Sequence, residues 1–161
     1  MVIDMEKVYM TPEGCKALED ELRQLKLEER PKVVQAIAEA RELGDLSENA
    51  EYHSAKDKQG LIEGRIKELE AKLSQAEVID ITKMSGDTIR FGVTATICDL
   101  DTDEEKTYKI VGIDEADIAK GLISIQSPLG RILLGKKQGD EVKFQSPGGE
   151  KMYEVLKVKY C

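Results

Sequence analysis

The chain has 161 residues, 40% of them hydrophobic, enough for one ordinary domain or two small ones with a core. Its 32 acidic and 24 basic residues give a formal net charge of −8, a sign that opposes non-specific attraction to phosphate backbones. There is no run of about 18 apolar residues and no positively charged start followed by an apolar block, so neither a membrane span nor a signal peptide is expected, and a cytoplasmic protein is.

The first element starts at "TPEG". Thr11 is a good N-cap acceptor, and Pro12 fits the first helical position because the donor it lacks would go unused there. Leu18, Leu22 and Leu25 follow at steps of four and three, and Val33 or Val34, Ile37 and Ala40 resume the apolar stripe. Pro31 lies inside this segment and predicts a kink or a short break. Gly44 suits the left-handed residue that ends a helix. A second helix is predicted from Asp45–Glu48 to about Ala76, with Ala55, Ile62, Ile66, Leu69, Leu73 and Ala76 along its seam. Two such helices with a short connection predict an antiparallel hairpin, a rod of about 45 Å at about 1.5 Å per residue.

Texture changes around residues 79–86, which sets the predicted domain boundary: residues 1–80 and residues 81–161. The first part carries 19 acidic and 12 basic side chains, the second 13 and 12. Beyond the boundary the chain is glycine-rich and short in period. Strands are predicted around Val93–Ile97, Thr107–Val111, Leu122–Ile125, Glu141–Phe144 and Met152–Tyr160, with a hairpin turn at "PGGE" and a short helix over Pro128–Leu134. The fold class is therefore α+β in two domains, a helical hairpin followed by a mainly antiparallel sheet with one helix on it.

The hairpin turn, residues 42–51, gathers Glu42, Asp45, Glu48 and Glu51, with no lysine or arginine between Arg41 and Lys56. Asp45 and Glu48 fit a capping box, and acidic groups suit a helix N-terminus. Capping leaves Glu42 and Glu51 unexplained. Hard divalent cations favour carboxylate oxygens, yet two or three such groups on a solvated tip make an incomplete cage, so a partner would have to supply the remaining ligands. Arg41, Lys56 and Lys58 flank the tip as a small basic collar, or simply as a solvated face. His53, the only histidine, has no nucleophile arranged beside it.

Other patterns exclude themselves. "DLDTDEEKTYKI" begins like a calcium loop but has Glu104 where glycine is required and Ile110 where a bidentate glutamate is required. Cys15, Cys98 and Cys161 match neither a disulfide framework nor a zinc site and read as reduced. No nucleophile or phosphate-loop motif is present, so the chain is not expected to be an enzyme.

"IAEARELGDLSENAEYHSAKDKQGLIEGRIKELEAKLSQAEVID" closely resembles the hairpin of the bacterial Gre transcript-elongation factors, and "ISIQSPLGRILLGKKQGDEV" with "SPGGE" resembles their C-terminal domain. The likeness runs from about Met10 to Tyr160, and is stronger to the branch whose rod carries the smaller basic patch. It implies an antiparallel coiled coil followed by a domain resembling FK506-binding proteins. It also implies a role: a factor that enters the RNA polymerase secondary channel and stimulates endonucleolytic cleavage of the 3′ RNA in backtracked complexes, the nuclease activity being the polymerase's own. By position, Asp45 and Glu48 would help hold a second magnesium ion, shared with polymerase and absent from the free protein. Arg41 and Lys56 would contact the nascent RNA 3′ end, and Ser127 and Pro128 would dock on polymerase, with Gln126 standing where some relatives have aspartate. Two rivals remain: a channel binder that inhibits without cleavage, and a prolyl isomerase or chaperone. The latter needs an aromatic-lined pocket, for which this half offers only Phe91, Tyr108, Phe144, Tyr153 and Tyr160.

Overall fold

In the computed structural model, residues 7–45 and 47–161 are described; the first six residues of the predicted hairpin domain, and Leu46 within its acidic turn, lie outside the described residues. Strand β1 (Val8–Met10) leads into helix α1 (Pro12–Gln24), where the Thr11 hydroxyl accepts from Gly14 N–H at 3.1 Å as the N-cap. A π-helical turn, Leu25–Glu29, connects α1 to α2 (Arg30–Arg41). The expected break at Pro31 is replaced by this turn: Arg30 N–H bonds to Leu25 O, five residues back, and the backbone stays helical through the junction. Pro31, in the first turn of α2, has no N–H to donate, and the wider turn moves the helix past the gap without ending it.

Helix α3 (Ala50–Ser74) returns along α2. It starts five residues later than the earliest predicted start, and the chain after it is strand β2 (Ala76–Val78), which pairs with β1. Val33 and Ile37 meet Ala55, Ile62 and Ile66, with Leu22, Leu25 and Tyr52 packed around them. Of the two candidate valines, Val33 is 3% exposed and Val34 52%, so the stripe follows Val33. Leu69 is fully buried, whereas Leu73 is only half-buried. Ion pairs line the seam: Arg30 grips Glu63 through two bonds of 2.7 and 2.8 Å, Arg65 grips Glu21 at 2.6 and 2.9 Å, and Lys26 meets Glu70 at 2.9 Å. Partly exposed pairs of this kind are screened by solvent and add little to stability.

Strands β3 (Thr94–Asp99), β4 (Glu105–Val111), β5 (Leu122–Ser124), β6 (Glu141–Ser146) and β7 (Gly149–Lys159) form one sheet in the order β5-β4-β3-β7-β6. All neighbours are antiparallel except β4 and β5, whose connection crosses over. Along β3 burial alternates strictly, with Ala95 and Ile97 inward. Ile89, Phe91, Ile110, Leu133 and Val155 join them in the core, and helix α4 (Pro128–Leu133) covers it. Phe91 and Tyr153 are buried there, Tyr108 and Phe144 pack against it, and Tyr160 O–H donates to Thr88 O. Tyr108, Phe144 and Tyr160 remain half-buried.

The chain divides into two compact units, Cys15–Ala76 on one side and Val8–Gly14 with Glu77–Cys161 on the other. Within the second, Glu115 on the β4–β5 crossover forms a clasp. Its carboxylate accepts from the N–H groups of Thr11 and Gly112, each at 3.1 Å, and from the Thr11 hydroxyl. Gly14 leaves room for this carboxyl, which a Cβ would overlap. In the "DLDTD" turn Asp99 is buried and its Oδ1 accepts from Asp101 N–H at 2.9 Å, an aspartate turn, and no group of three metal-ligating side chains occurs among the described residues.

Candidate functional site

The candidate site is the turn between α2 and α3. Helix α2 ends at Arg41, and Gly44 follows with φ +95°, its N–H bonded to Arg41 O at 3.3 Å. A Cβ on Gly44 would meet nothing, so the need for glycine lies in the backbone conformation alone. Asp45 comes next, and its Oδ1 accepts from both Ser47 N–H, at 3.2 Å, and Ser47 O–H, at 2.8 Å. Glu48 N–H closes the turn on Asp45 O at 3.3 Å.

The predicted capping box is not formed. Asn49 caps α3: it has extended backbone, and its Oδ1 accepts from Tyr52 N–H at 2.9 Å. The chain needs residues 45–48 to turn between the two helices, so the free N–H groups of α3 face Asn49. Asparagine is as good a cap as aspartate, so Asn49 itself, one residue before the helix, is the local signal for this start. The Asn49 amide also reaches back, donating to Ala40 O at 2.6 Å and to Gly44 O at 3.5 Å. One side chain therefore ties the end of α2 to the start of α3.

This leaves Asp45 and Glu48 exposed, with neither carboxylate spent on a helix cap. They line a shallow recess with Leu43 and Asn49. Glu42 and Glu51 are also exposed. Arg41 is exposed with its guanidinium 5.8 Å from the Tyr52 ring centre, a cation–π distance, and the exposed Lys56 donates to Gln59 Oε1 at 3.3 Å. His53 is exposed, its Nε2 3.3 Å from Ser47 O and its ring set edgewise to Tyr52. No group of three metal-ligating side chains is assembled at the tip among the described residues.

Ser127 and Pro128 sit far along the sequence, at the start of α4. Ser127 Oγ accepts from Gly130 N–H at 3.1 Å and donates to Ser124 O at 2.7 Å, which makes it the N-cap, and Pro128 takes the first helical position. Pro128 and Gln126 are exposed.

Residues 8–78 match the model described as "Transcription elongation factor, N-terminal", and residues 84–160 match "Transcription elongation factor, GreA/GreB, C-term". The transcription elongation factor GreA of Ruegeria pomeroyi is 62% identical over 156 residues, covering 97% of this chain and 99% of that one. That of Beijerinckia indica is 59% identical over the same coverage. Among solved structures, GreA factor homolog 1 of Thermus thermophilus aligns over 95% of this chain and 99% of its own, at 27% identity and a TM-score of 0.43. The two matched regions and the full-length relatives place this chain in the GreA/GreB family of transcription elongation factors.

Proposed function

We propose that this protein passes its helical hairpin into the secondary channel of RNA polymerase and stimulates endonucleolytic cleavage of the 3′ RNA in backtracked complexes. The observation that carries the reading is the exposure of Asp45 and Glu48 on a turn held by hydrogen bonds at the end of two long helices. The nuclease activity is the polymerase's own, and this chain is a cofactor protein. Family membership supports a function in transcription elongation, and a cytoplasmic location goes with it. No described helix is long and apolar enough to cross a membrane.

In this reading Asp45 and Glu48 supply oxygen ligands to a magnesium ion that polymerase carboxylates complete. An ion so held polarises water and stabilises the attacking and leaving oxygens of a phosphodiester displacement. Asp45 is the main ligand, since its carboxylate is oriented by Ser47, and Glu48 supports it. Crowded carboxylates repel one another in the free protein, and a cation relieves that repulsion. Arg41 and Lys56 provide positive charge near the tip for the extruded RNA. Exposed Pro128, on the turn shaped by Ser127, contributes to docking on polymerase.

The test is gel analysis of end-labelled RNA in a defined, stalled polymerase complex. Wild-type protein shortens the RNA from its 3′ end. Asp45→Ala abolishes stimulated cleavage yet still competes with wild type for polymerase. Full cleavage by this variant refutes the assigned role.

A further inference from the structure

We propose that Asn49 is a positioning residue for the acidic tip, holding Asp45 and Glu48 in their ligating arrangement through the amide that it donates across the turn. The inference rests on the functional reading above and concerns a residue that touches neither RNA nor ion in it. A helix cap needs only the acceptor, Oδ1, which Asn49 gives to Tyr52 N–H. Its Nδ2 does something a cap does not require. It donates to Ala40 O at 2.6 Å and lies at the limit of bonding distance, 3.5 Å, from Gly44 O. Ala40 belongs to α2, and Gly44 is the left-handed residue immediately before Asp45.

Asp45 and Glu48 therefore both lie on a loop whose two ends are fastened to one side chain. The loop's inner backbone bonds are long, Ser47 N–H to Asp45 Oδ1 at 3.2 Å and Glu48 N–H to Asp45 O at 3.3 Å, and its one short bond, Ser47 O–H to Asp45 Oδ1 at 2.8 Å, is open to solvent like them and does not reach either helix. Water competes for such bonds, and the like charges push the loop open. Asn49, half-buried, has the one short bond across the turn among the described residues. Carboxylates placed before the ion arrives spare the entropy of ordering a flexible loop at the moment of binding.

Asn49→Ser and Asn49→Asp separate the two tasks. Both retain a capping oxygen, and neither retains an amide that reaches Ala40. Five measurements decide: the maximal rate of stimulated RNA cleavage at saturating factor, the factor concentration giving half that rate, the magnesium concentration giving half that rate, the thermal unfolding midpoint, and 15N backbone order parameters of Ser47 and Glu48 in the free protein. A misplacement near 1 Å costs up to about 100-fold in rate, so we expect both variants to lose about tenfold in maximal rate, with a raised magnesium requirement. The half-saturating factor concentration and the thermal unfolding midpoint stay at wild-type values. The order parameters at Ser47 and Glu48 drop towards or below about 0.6, the flexible range, while those near Leu69 do not change. A wild-type rate and rigid tip in Asn49→Ser, with Asp45→Ala inactive, overturns the role of Asn49 and leaves the functional reading standing. A parallel fall in docking and thermal stability also overturns it, as a merely structural effect. Full cleavage by Asp45→Ala overturns the functional reading itself.

Discussion

Replacing Glu115 by alanine removes one carboxylate that receives three donors, two from distant Thr11 and one from Gly112 three residues before it. Hydrogen bonds to charged groups contribute about 1.5–3 kcal/mol each when well buried, and a buried donor left without a partner costs about 1–3 kcal/mol. Thr11 is 3% exposed, so its N–H and O–H cannot simply turn to water, whereas Glu115 is half-buried and water will replace part of what it does. With Thr11 and Gly112 both buried and water entering beside half-buried Glu115, the loss comes to about 2–4 kcal/mol in the unfolding free energy of the sheet unit. Urea denaturation followed by circular dichroism in the β region reads it. A second substitution makes the test sharper. Gly14→Ala puts a methyl group where the Glu115 carboxyl lies and should cost about 1–3 kcal/mol in the wild-type background, by overpacking. In the Glu115→Ala background that obstacle is gone, and the alanine instead gains up to about 1 kcal/mol of helix propensity. The sign of the Gly14→Ala effect therefore reverses. If Gly14→Ala costs the same in both backgrounds, or Glu115→Ala costs less than about 0.5 kcal/mol, the clasp contributes nothing and the reasoning is wrong.

Acid weakens the hairpin. Arg65 holds Glu21 below its ordinary value of 4.5, Arg30 does the same to Glu63, and Lys72, then Arg65, to Glu68. Carboxylates depressed on folding add stability that is fully present above pH 4.5 and is lost as pH falls through their folded values; thermal melts of helicity from pH 6 to 2 should show this fall, and a Glu21→Gln, Glu63→Gln variant should show less of it. An unchanged acid loss in that variant counts against the pairs. Leu69→Ala, at a fully buried position, should cost about 2–5 kcal/mol in denaturant unfolding, against about 0.5 kcal/mol or less for Val34→Ala on the exposed face. Pro128→Ala should weaken competition for polymerase without changing stability, while Ser127→Ala should also lose about 1 kcal/mol through its cap on Gly130 N–H. Equal stability of the two variants would show that the cap is idle.

Much of this protein was legible in its sequence because the forces concerned act over a few residues. Thr11 and Pro12 begin a helix, Gly44 ends one, Ile62, Ile66 and Leu69 recur at helical spacing, and Ala95 and Ile97 alternate with threonines, each a statement about neighbours along the chain. The acidic tip was visible for the same reason, as charge density needs no fold to be counted. Tertiary structure decided the rest. It chose Val33 over Val34, since two adjacent valines carry no local preference and only the face of α3 opposite distinguishes them. It also chose Asn49 over Asp45 as the cap, because the number of residues needed to turn the chain depends on where both helices end in space. Strands β1 and β2, three residues each, are too short to show a period and exist only as partners of one another. Glu115 meets Thr11 across 104 positions of sequence, and no local pattern marks a carboxylate whose donors arrive only when the chain has folded around it.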